Sequence, residues 1–282
     1  MLVSTRTSRI LTTVATVLVG IYFLLPIIWV AIASTKNNTD LFGTFGLWFS
    51  GQPQLIENLG SLFSYNGGIY LRWILNSAVY AGVGAALATI IATAAGYAFA
   101  KFEFRGSNLM FGIVLGGVLV PGTALALPLY LLASQLGLAN TMWSVLIPSL
   151  LCPFGVYLAR VYASSAVPDE LLEAARIDGA GEAAIFWRVA LRMMTPALVT
   201  TFLFQFVSIW NNYLLSLVML ANDELYPLTL GLATWFQYAD REPILYTLTV
   251  VGSFVAIIPL ALIILSLQGF WRSGLTEGGV KG

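Results

Sequence analysis

Residues 106–159 read GSNLMFGIVLGGVLVPGTALALPLYLLASQLGLANTMWSVLIPSLLCPFGVYLA, a run of 54 residues without a charged side chain. A helix that crosses the hydrocarbon core of a bilayer needs about 20 apolar residues, so this run is long enough for two such helices. Its most polar part, residues 135–141, contains Gly137 and predicts the turn between them. The stretch therefore indicates a protein that lies in a membrane.

Four further charge-free runs of 26 to 30 residues are each long enough for one span. The chain is 59% hydrophobic and only 9% charged, whereas a soluble domain carries about 25% charged residues. For the first run, a cleaved signal peptide is the alternative, but segment 10–32 exceeds the roughly 7–15 apolar residues typical of one. We expect an uncleaved anchor and six transmembrane helices. These are placed at residues 11–34, 73–100, 108–134, 141–163, 195–220 and 245–270.

The distribution of lysine and arginine predicts the orientation, because cytoplasmic loops are enriched in these residues. With six spans, both termini lie on one side, and that side carries ten of the 13 basic residues. We therefore expect both termini in the cytoplasm. The predicted organisation is a tail and first span (1–34), an outer loop (35–72), and a five-helix core (73–282) with a cytoplasmic loop (164–194) and a tail (272–282).

The composition also argues against several classes of function. The chain has no histidine and a single cysteine, so the commonest metal ligand and general base is missing, and we predict no catalytic residue and no metal site. None of the three lysines follows a glycine, as the phosphate-binding loop of nucleotide hydrolases requires. With 13 basic and 13 acidic residues, the net charge gives no indication of nucleic-acid binding.

Prolines and glycines fall inside two of the predicted spans. Pro121, Gly122 and Pro128 interrupt the third span, and Pro148 and Pro153 interrupt the fourth. Broken helices are tolerated in a membrane where the freed backbone groups are buried in protein or line a cavity. The pattern is therefore compatible with a substrate path.

The cytoplasmic loop carries a pattern of its own. Pro168 suits the first helical position, and acidic residues from Asp169 to Glu173 favour the positive end of a helix dipole. Gly179 can end this helix in a left-handed conformation, and a second, amphipathic helix can begin near Glu182. The apolar stripe of the second helix consists of Phe186, Val189, Ala190 and Met193.

One face of the first loop helix combines Leu171, Ala174, Ala175 and Asp178. Small side chains allow close packing into the groove of a partner protein, but exposed surface helices are also often rich in alanine. From the residues alone, a partner-binding helix and a plain surface loop both stay open as interpretations.

Several of these motifs resemble those of the permease subunits of bacterial ATP-binding-cassette importers. Glu173-Ala174-Ala175, Asp178-Gly179-Ala180 and Phe186-Trp187-Arg188-Val189 are similar to the EAA loop of that family. The tail at 274–282 is similar to that of carbohydrate importer permeases, in particular the second membrane subunit of maltose-type systems. At Leu191-Arg192 the family usually has Leu-Pro, and the missing proline leaves the angle between the loop and the fifth span open.

The resemblance implies the type I importer permease fold, an all-α membrane protein with six transmembrane helices and a cytoplasmic coupling helix. It implies that the chain forms half of a heterodimeric pore with a second, homologous permease in the bacterial inner membrane. Two cytoplasmic ATPase subunits would bind ATP and Mg²⁺, and an extracytoplasmic binding protein would deliver a sugar. The chain itself, surrounded by membrane lipid, would bind no cofactor and catalyse no reaction.

The resemblance also implies which residues contact the ATPase. In the loop these are Glu173, Ala174, Ala175, Asp178 and Gly179. In the C-terminal tail they are Gly278, Gly279, Val280 and Lys281.

Polar and aromatic residues in the fifth predicted span are candidates for the substrate path, namely Gln205, Trp210, Asn211, Asn212 and Tyr213. Aromatic faces and amide groups suit a sugar, whose ring faces are apolar and whose edges carry hydroxyls. The same amides can instead hydrogen-bond neighbouring helices.

Two other functions remain as alternatives to the importer subunit. An autonomous secondary transporter or channel normally has a charged group in mid-membrane or an internal repeat, and we find neither. An intramembrane enzyme needs a nucleophile with a base or a metal cluster, which the sequence does not offer.

Overall fold

The computed structural model describes the backbone of residues 6–277 and the side chains of residues 8–268. Within this part of the chain every regular element is a helix, which confirms the predicted all-α class. The chain forms two compact units. The first contains the residues up to Tyr70 and Leu232–Ile258, and the second contains Leu71–Gly231 and the residues from Pro259 onward. The predicted division at residues 34 and 72 stays a prediction.

Fifteen α-helical segments follow one another, with a π-helical turn at Phe186–Ala190 and short 3₁₀ turns at Tyr65–Gly68 and Asp223–Leu225. In chain order they are α1 (Arg6–Ala33), α2 (Asn38–Gly43), α3 (Leu55–Ser64), α4 (Ile69–Lys101), α5 (Ser107–Leu119), α6 (Gly122–Gln135), α7 (Met142–Ser149), α8 (Pro153–Ala166), α9 (Asp169–Ile177), α10 (Glu182–Ile185), α11 (Leu191–Met193), α12 (Thr195–Trp210), α13 (Tyr213–Met219), α14 (Leu228–Tyr238) and α15 (Ile244–Glu277).

Four helical stretches are long and apolar enough to cross a membrane: Ser8–Ala33, Leu55–Lys101, Met142–Ala166 and Ile244–Gln268. Two further pairs of helices meet this criterion only when taken together. The chain bends by 105° between α5 and α6, and by 81° between Glu182–Met193 and α12. The described chain therefore has the six predicted spans only if each bent pair counts as one span.

The third predicted span, residues 108–134, is interrupted at Pro121 and Gly122, as the sequence predicted. Helix α5 ends at Leu119, and α6 begins only after Pro121, whose backbone is extended (φ −65°, ψ 129°). Proline lacks the N–H that would continue the helical hydrogen-bond ladder, so a break at this position is physically expected. Pro128 was also expected to interrupt the span, but it lies inside α6 and the helix continues through it.

The fourth and fifth predicted spans are also divided. Cys152 separates α7 from α8, and Pro153 occupies the first turn of α8, where its missing N–H costs nothing. Asn212 separates α12 from α13 and caps α13, because its side-chain oxygen accepts a hydrogen bond from the Leu215 N–H at 3.2 Å. The sequence did not predict this last break.

In the second unit, glycines allow α4, α8 and α12 to approach closely. A Cβ atom on Gly155 would lie 2.6 Å from the Thr201 Cγ2 atom and 3.1 Å from the Ala92 Cβ atom. A Cβ atom on Gly96 would lie 2.5 Å from the Ala159 Cβ atom. Because real side chains do not approach so closely, these contacts require glycine, as is typical of helix packing in membranes.

In the first unit, aromatic packing and a buried amide fix the ends of the helices. The Tyr70 ring stacks on Trp235 with 6.1 Å between centroids, and its hydroxyl donates to the Gly252 carbonyl at 2.6 Å. The Asn58 Nδ2 group donates to the main-chain oxygens of Ser34 at 3.0 Å and Lys36 at 2.9 Å. These two bonds tie α3 to the residues that follow α1.

Candidate coupling loop and substrate path

The first loop helix, α9, has the ends that the sequence predicted. Asp169 and Glu170 lie in its first turn, and Pro168 precedes it by one residue. Gly179 has a φ of +83°, in the left-handed region. The N–H of Ala180 donates to the Ala175 carbonyl at 3.0 Å, which closes the turn after the helix. Such a turn is typical of helices that end in a left-handed glycine.

The exposed face of α9 differs slightly from the predicted one. Leu172 is fully buried and Ala175 is half-buried, so these two side chains face the protein. The other side consists of exposed residues, and Ile177, at the end of the helix, has 86% of its side chain exposed. The predicted ATPase contacts Glu173, Ala174, Asp178 and Gly179 are all exposed.

Ile177 was missed by the sequence analysis. A lone isoleucine beside Asp178 fits the apolar stripe of a helix, and nothing in the sequence marks it as exposed. A single exposed apolar residue is common on protein surfaces, but Ile177 lies on the same exposed side of the helix as the predicted contacts Ala174 and Asp178. We therefore add Ile177 to the candidate contact surface, which we call the α9 outer face: Glu173, Ala174, Ile177, Asp178 and Gly179.

A buried apolar cluster supports the loop from the other side. Its fully buried members come from α4, α8, α9 and the second loop helix, namely Tyr97, Ala159, Ala163, Val167, Leu172, Ile185, Ala190 and Met194. The predicted stripe residues Phe186, Val189 and Met193 pack against this cluster. The loop is therefore fixed to the C-terminal ends of α4 and α8.

Two ion pairs reinforce this arrangement. The Lys101 Nζ atom, at the end of α4, donates to the Val167 carbonyl at 2.6 Å and to Asp169 Oδ1 at 2.7 Å. Arg176 donates to both carboxylate oxygens of Glu182, at 2.6 and 3.3 Å, and so links the two loop helices across the turn. This hydrogen bonding to Arg176 holds the pKa of the Glu182 carboxyl below its usual range.

Although Arg192 stands where the family usually has proline, the chain still bends between the loop and the next helix. Helix α11 ends at Met193, and α12 begins at Thr195 with Pro196 in its first turn, at an angle of 81°. The Thr195 Oγ1 group donates to the Arg192 carbonyl at 2.7 Å. The change of direction therefore occurs next to Pro196, which is suited to begin the new helix.

The three helix breaks described above surround one cavity of about 640 Å³. Val120 lies at the first break and Leu151 at the second, and Asn212 lies at the third. No charged side chain lines the cavity. Its polar lining comes from hydroxyl and amide groups: Thr123, Ser149, Gln205, Ser208 and Asn212. Irregular backbone inside a membrane is expected where it lines such a cavity.

Two of the five predicted substrate-path residues lie at this cavity, Gln205 and Asn212. The Gln205 Nε2 group also donates to the Ser149 carbonyl at 2.7 Å, so it both lines the cavity and joins α12 to α7. Trp210 is buried and stacks on Phe206 with 5.6 Å between centroids. It does not line the cavity.

The remaining two candidates, Asn211 and Tyr213, do not line the cavity either. Asn211 Nδ2 donates to the Val207 carbonyl of its own helix at 2.8 Å. The sequence analysis missed Thr123, Ser149 and Ser208, because single hydroxyl residues are common in apolar helices and give no distinct pattern. The proposed tail contacts Gly278, Gly279, Val280 and Lys281 lie outside the described residues.

Comparisons with known proteins agree with this architecture. The chain is 33% identical over 281 residues to the arabinooligosaccharides transport system permease protein AraQ of Halalkalibacterium halodurans, covering 98% of this chain and 99% of the relative. It is 30% identical over 285 residues to the maltodextrin transport system permease protein MdxG of Bacillus subtilis, covering 98% and 99%.

A solved structure is also similar. It is that of a bacterial ABC transporter involved in the import of the acidic polysaccharide alginate, with a TM-score of 0.79 and 25% sequence identity, covering 95% of this chain and 98% of that chain. The sequence profile described as "Binding-protein-dependent transport system inner membrane component" matches residues 85–272. This range holds the cavity and the EAA-like loop, and the relatives align over nearly the whole chain. The chain therefore belongs to the binding-protein-dependent transport system inner membrane components and is a permease subunit of an ABC transporter.

Proposed function

We propose that this permease forms half of the translocation pore of an importer for neutral sugars. A second, homologous permease would supply the other half, an extracytoplasmic binding protein would deliver the sugar, and two ATPase subunits would drive transport. ATP and Mg²⁺ would bind to those ATPases and not to this chain. Both termini would lie in the cytoplasm of a bacterial cell, at the inner membrane.

The cavity at the three helix breaks is the main support for a neutral sugar as the substrate. Its lining combines apolar side chains with hydroxyl and amide groups and contains no lysine, arginine, aspartate or glutamate. A neutral sugar can exchange its hydrogen bonds to water for bonds to such groups. A charged substrate would have to lose its hydration with no compensating charge on this side of the pore.

The names of the relatives support a sugar as the substrate but do not decide its charge. AraQ is named for arabino-oligosaccharides, MdxG for maltodextrin, and a relative from Rhizobium radiobacter that is 30% identical over 259 residues, LacG, for lactose. The solved relative takes part in the import of an acidic polysaccharide. These names differ in the sugar, so we propose the class and not one compound.

The α9 outer face is proposed as the contact with an ATPase. It presents the small residues Ala174 and Gly179 and one exposed apolar side chain, Ile177. A buried cluster and the bond from Lys101 to Asp169 hold the same helix on its inner side. Because α9 is packed against α4 and α8 on one side and exposed on the other, a movement of a partner bound to the exposed side can be transmitted to α4 and α8.

A transport assay tests the substrate proposal. The complete importer is reconstituted in proteoliposomes, and uptake is compared for neutral oligosaccharides and for oligosaccharides of uronic acids. Ser208→Leu fills part of the cavity, and we expect it to reduce uptake at least tenfold while complex assembly is retained. Ser266→Leu, at an exposed position of α15, is the matched control and should transport normally. Preferred uptake of uronates, or normal uptake by Ser208→Leu, would contradict the proposal.

A further inference from the structure

Helix α1 is set apart from the other long helices by its exposure. Of its most apolar window, 6% is buried inside the protein, against 17% for Ile244–Gln268, 39% for Met142–Ala166 and 44% for Leu55–Lys101. Its mean hydropathy over that window is 2.4, which is suited to a lipid environment. Most of the surface of α1 is therefore apolar and left uncovered by the rest of this chain.

Residues 41–49, which we call the aromatic loop, follow α1 and expose large apolar side chains. Phe42, Phe45, Leu47, Trp48 and Phe49 are each between 40% and 74% exposed. No lysine, arginine, aspartate or glutamate occurs within the loop. Exposed apolar groups of this density are unfavourable in water and mark contact with another apolar phase.

The aromatic loop turns back toward the membrane-spanning part of α1. A Cβ atom on Gly46 would lie 3.1 Å from the Trp29 Nε1 atom, so the loop passes directly beside this side chain. Trp29 comes four residues before the end of α1 at Ala33, which at a rise of 1.5 Å per residue is about 6 Å along the helix axis. Gly46 therefore lies at the level of the last turns of the apolar helix and not beyond its end.

The length of α1 places this level at the edge of a bilayer. The apolar stretch Ser8–Ala33 contains 26 residues, or about 39 Å of helix, whereas the hydrocarbon core is about 30 Å thick. The ends of α1 therefore reach into the interfacial regions. Tryptophan and other aromatic side chains concentrate at this depth in membrane proteins.

Lys36 holds the aromatic loop in its turned-back position. Its side chain is fully buried, and Nζ donates to Thr44 Oγ1 at 2.9 Å and to the Phe45 carbonyl at 2.8 Å. The main-chain oxygen of Lys36 accepts the bond from Asn58 described above. Because a buried ammonium needs its hydrogen bonds, the loop is held in one conformation and not left free to turn toward water.

We propose that the aromatic loop is a membrane anchor that inserts its aromatic side chains into the lipid interface at the C-terminal end of α1. Three observations favour lipid over a protein partner. The loop is continuous with the exposed apolar surface of α1, it carries no charged side chain, and it lies at the interfacial depth of Trp29. The anchor fixes the first unit at a defined depth in the bilayer.

Spin labels test this proposal in the assembled importer, reconstituted in lipid nanodiscs. The lone cysteine is first replaced, Cys152→Ser, and transport by this variant is checked. Phe45→Cys and Trp48→Cys then carry the label, and Gln52→Cys, an exposed polar position just after the loop, is the matched control. Collision rates are measured with oxygen, which concentrates in lipid, and with a water-soluble nickel chelate.

The anchor predicts a ratio of oxygen to nickel accessibility that is severalfold higher at positions 45 and 48 than at position 52. High nickel accessibility at 45 and 48 would place the loop in water and overturn the proposal. Low accessibility to both reagents would show that a protein covers the loop, and it would also overturn the proposal.

Discussion

Gly179 offers the sharpest test of the proposed coupling between the loop and an ATPase subunit. Its φ of +83° lies in the left-handed region, and a Cβ atom there would meet nothing within 4 Å. A substitution therefore causes backbone strain without a steric clash. The left-handed conformation costs an L-residue other than glycine roughly 1–2 kcal/mol, and asparagine less because it tolerates this region best.

A graded series of substitutions uses this difference. If the turn after α9 must keep its shape, a strain of about 1–2 kcal/mol lowers the population of the competent loop roughly 5- to 30-fold. We expect transport to fall in the order Gly179→Asn, Gly179→Ala, Gly179→Val, since a β-branched residue is least tolerated at positive φ. Membrane insertion should persist in all three, because the predicted spans are not altered.

The matched control lies two residues away. Gly181 also has open space around it, but its φ is −74°, which any residue can adopt. Gly181→Ala should therefore leave transport unchanged.

The assay is substrate uptake and binding-protein-stimulated ATP hydrolysis by the complete importer in proteoliposomes, with copurification of the ATPase as a third readout. Full uptake by Gly179→Ala and Gly179→Val would refute the reasoning, because the left-handed turn would then not matter. An equal loss in Gly181→Ala would also refute it, since the effect would not depend on φ.

Two further predictions concern the packing that supports the loop and the cavity. Gly155→Ala should lower the free energy of unfolding by about 1–3 kcal/mol through overpacking, because its Cβ atom would lie 2.6 Å from a neighbouring side chain. Thermal denaturation in detergent measures this. Gly112→Ala, where nothing lies within 4 Å, should not lower the melting temperature, because alanine is favoured over glycine inside a helix. Lys101→Met should loosen the loop, because it removes the ammonium that bonds to Asp169 and to the Val167 carbonyl. An unsatisfied buried carbonyl costs about 1–3 kcal/mol. Limited proteolysis should then cleave the loop faster than in Lys101→Arg, and equal cleavage of both variants would contradict the role of this bond.

Much of the organisation follows from the sequence because it depends on local composition. Long runs without charge mark the segments that enter lipid, since each exposed charge there is costly. The ends of α9 follow from residues that act within one turn, the acidic residues at its start and Gly179 at its end. The EAA-like motif lies in the same short segment and identifies the family of the chain.

Other features depend on contacts between distant segments, and the sequence predicted them poorly. Asn212 lies at a helix break beside the cavity, whereas its neighbour Asn211 bonds to its own helix. Trp210 faces Phe206 and not the cavity. Three adjacent polar or aromatic residues thus have three different environments, and composition alone does not distinguish them.

The sequence by itself therefore determined the all-α class, the segments suited to a membrane, and the position of helix α9 and of the turn that follows it. The tertiary structure decided that α6 continues through Pro128 and that α12 and α13 are separate. It also decided which side of α9 is free and which hydroxyl and amide groups meet at the cavity. The physical reason is that hydrophobicity and local capping act within a few residues along the chain. Whether a broken helix or a buried polar group is tolerated depends on partners that other segments supply.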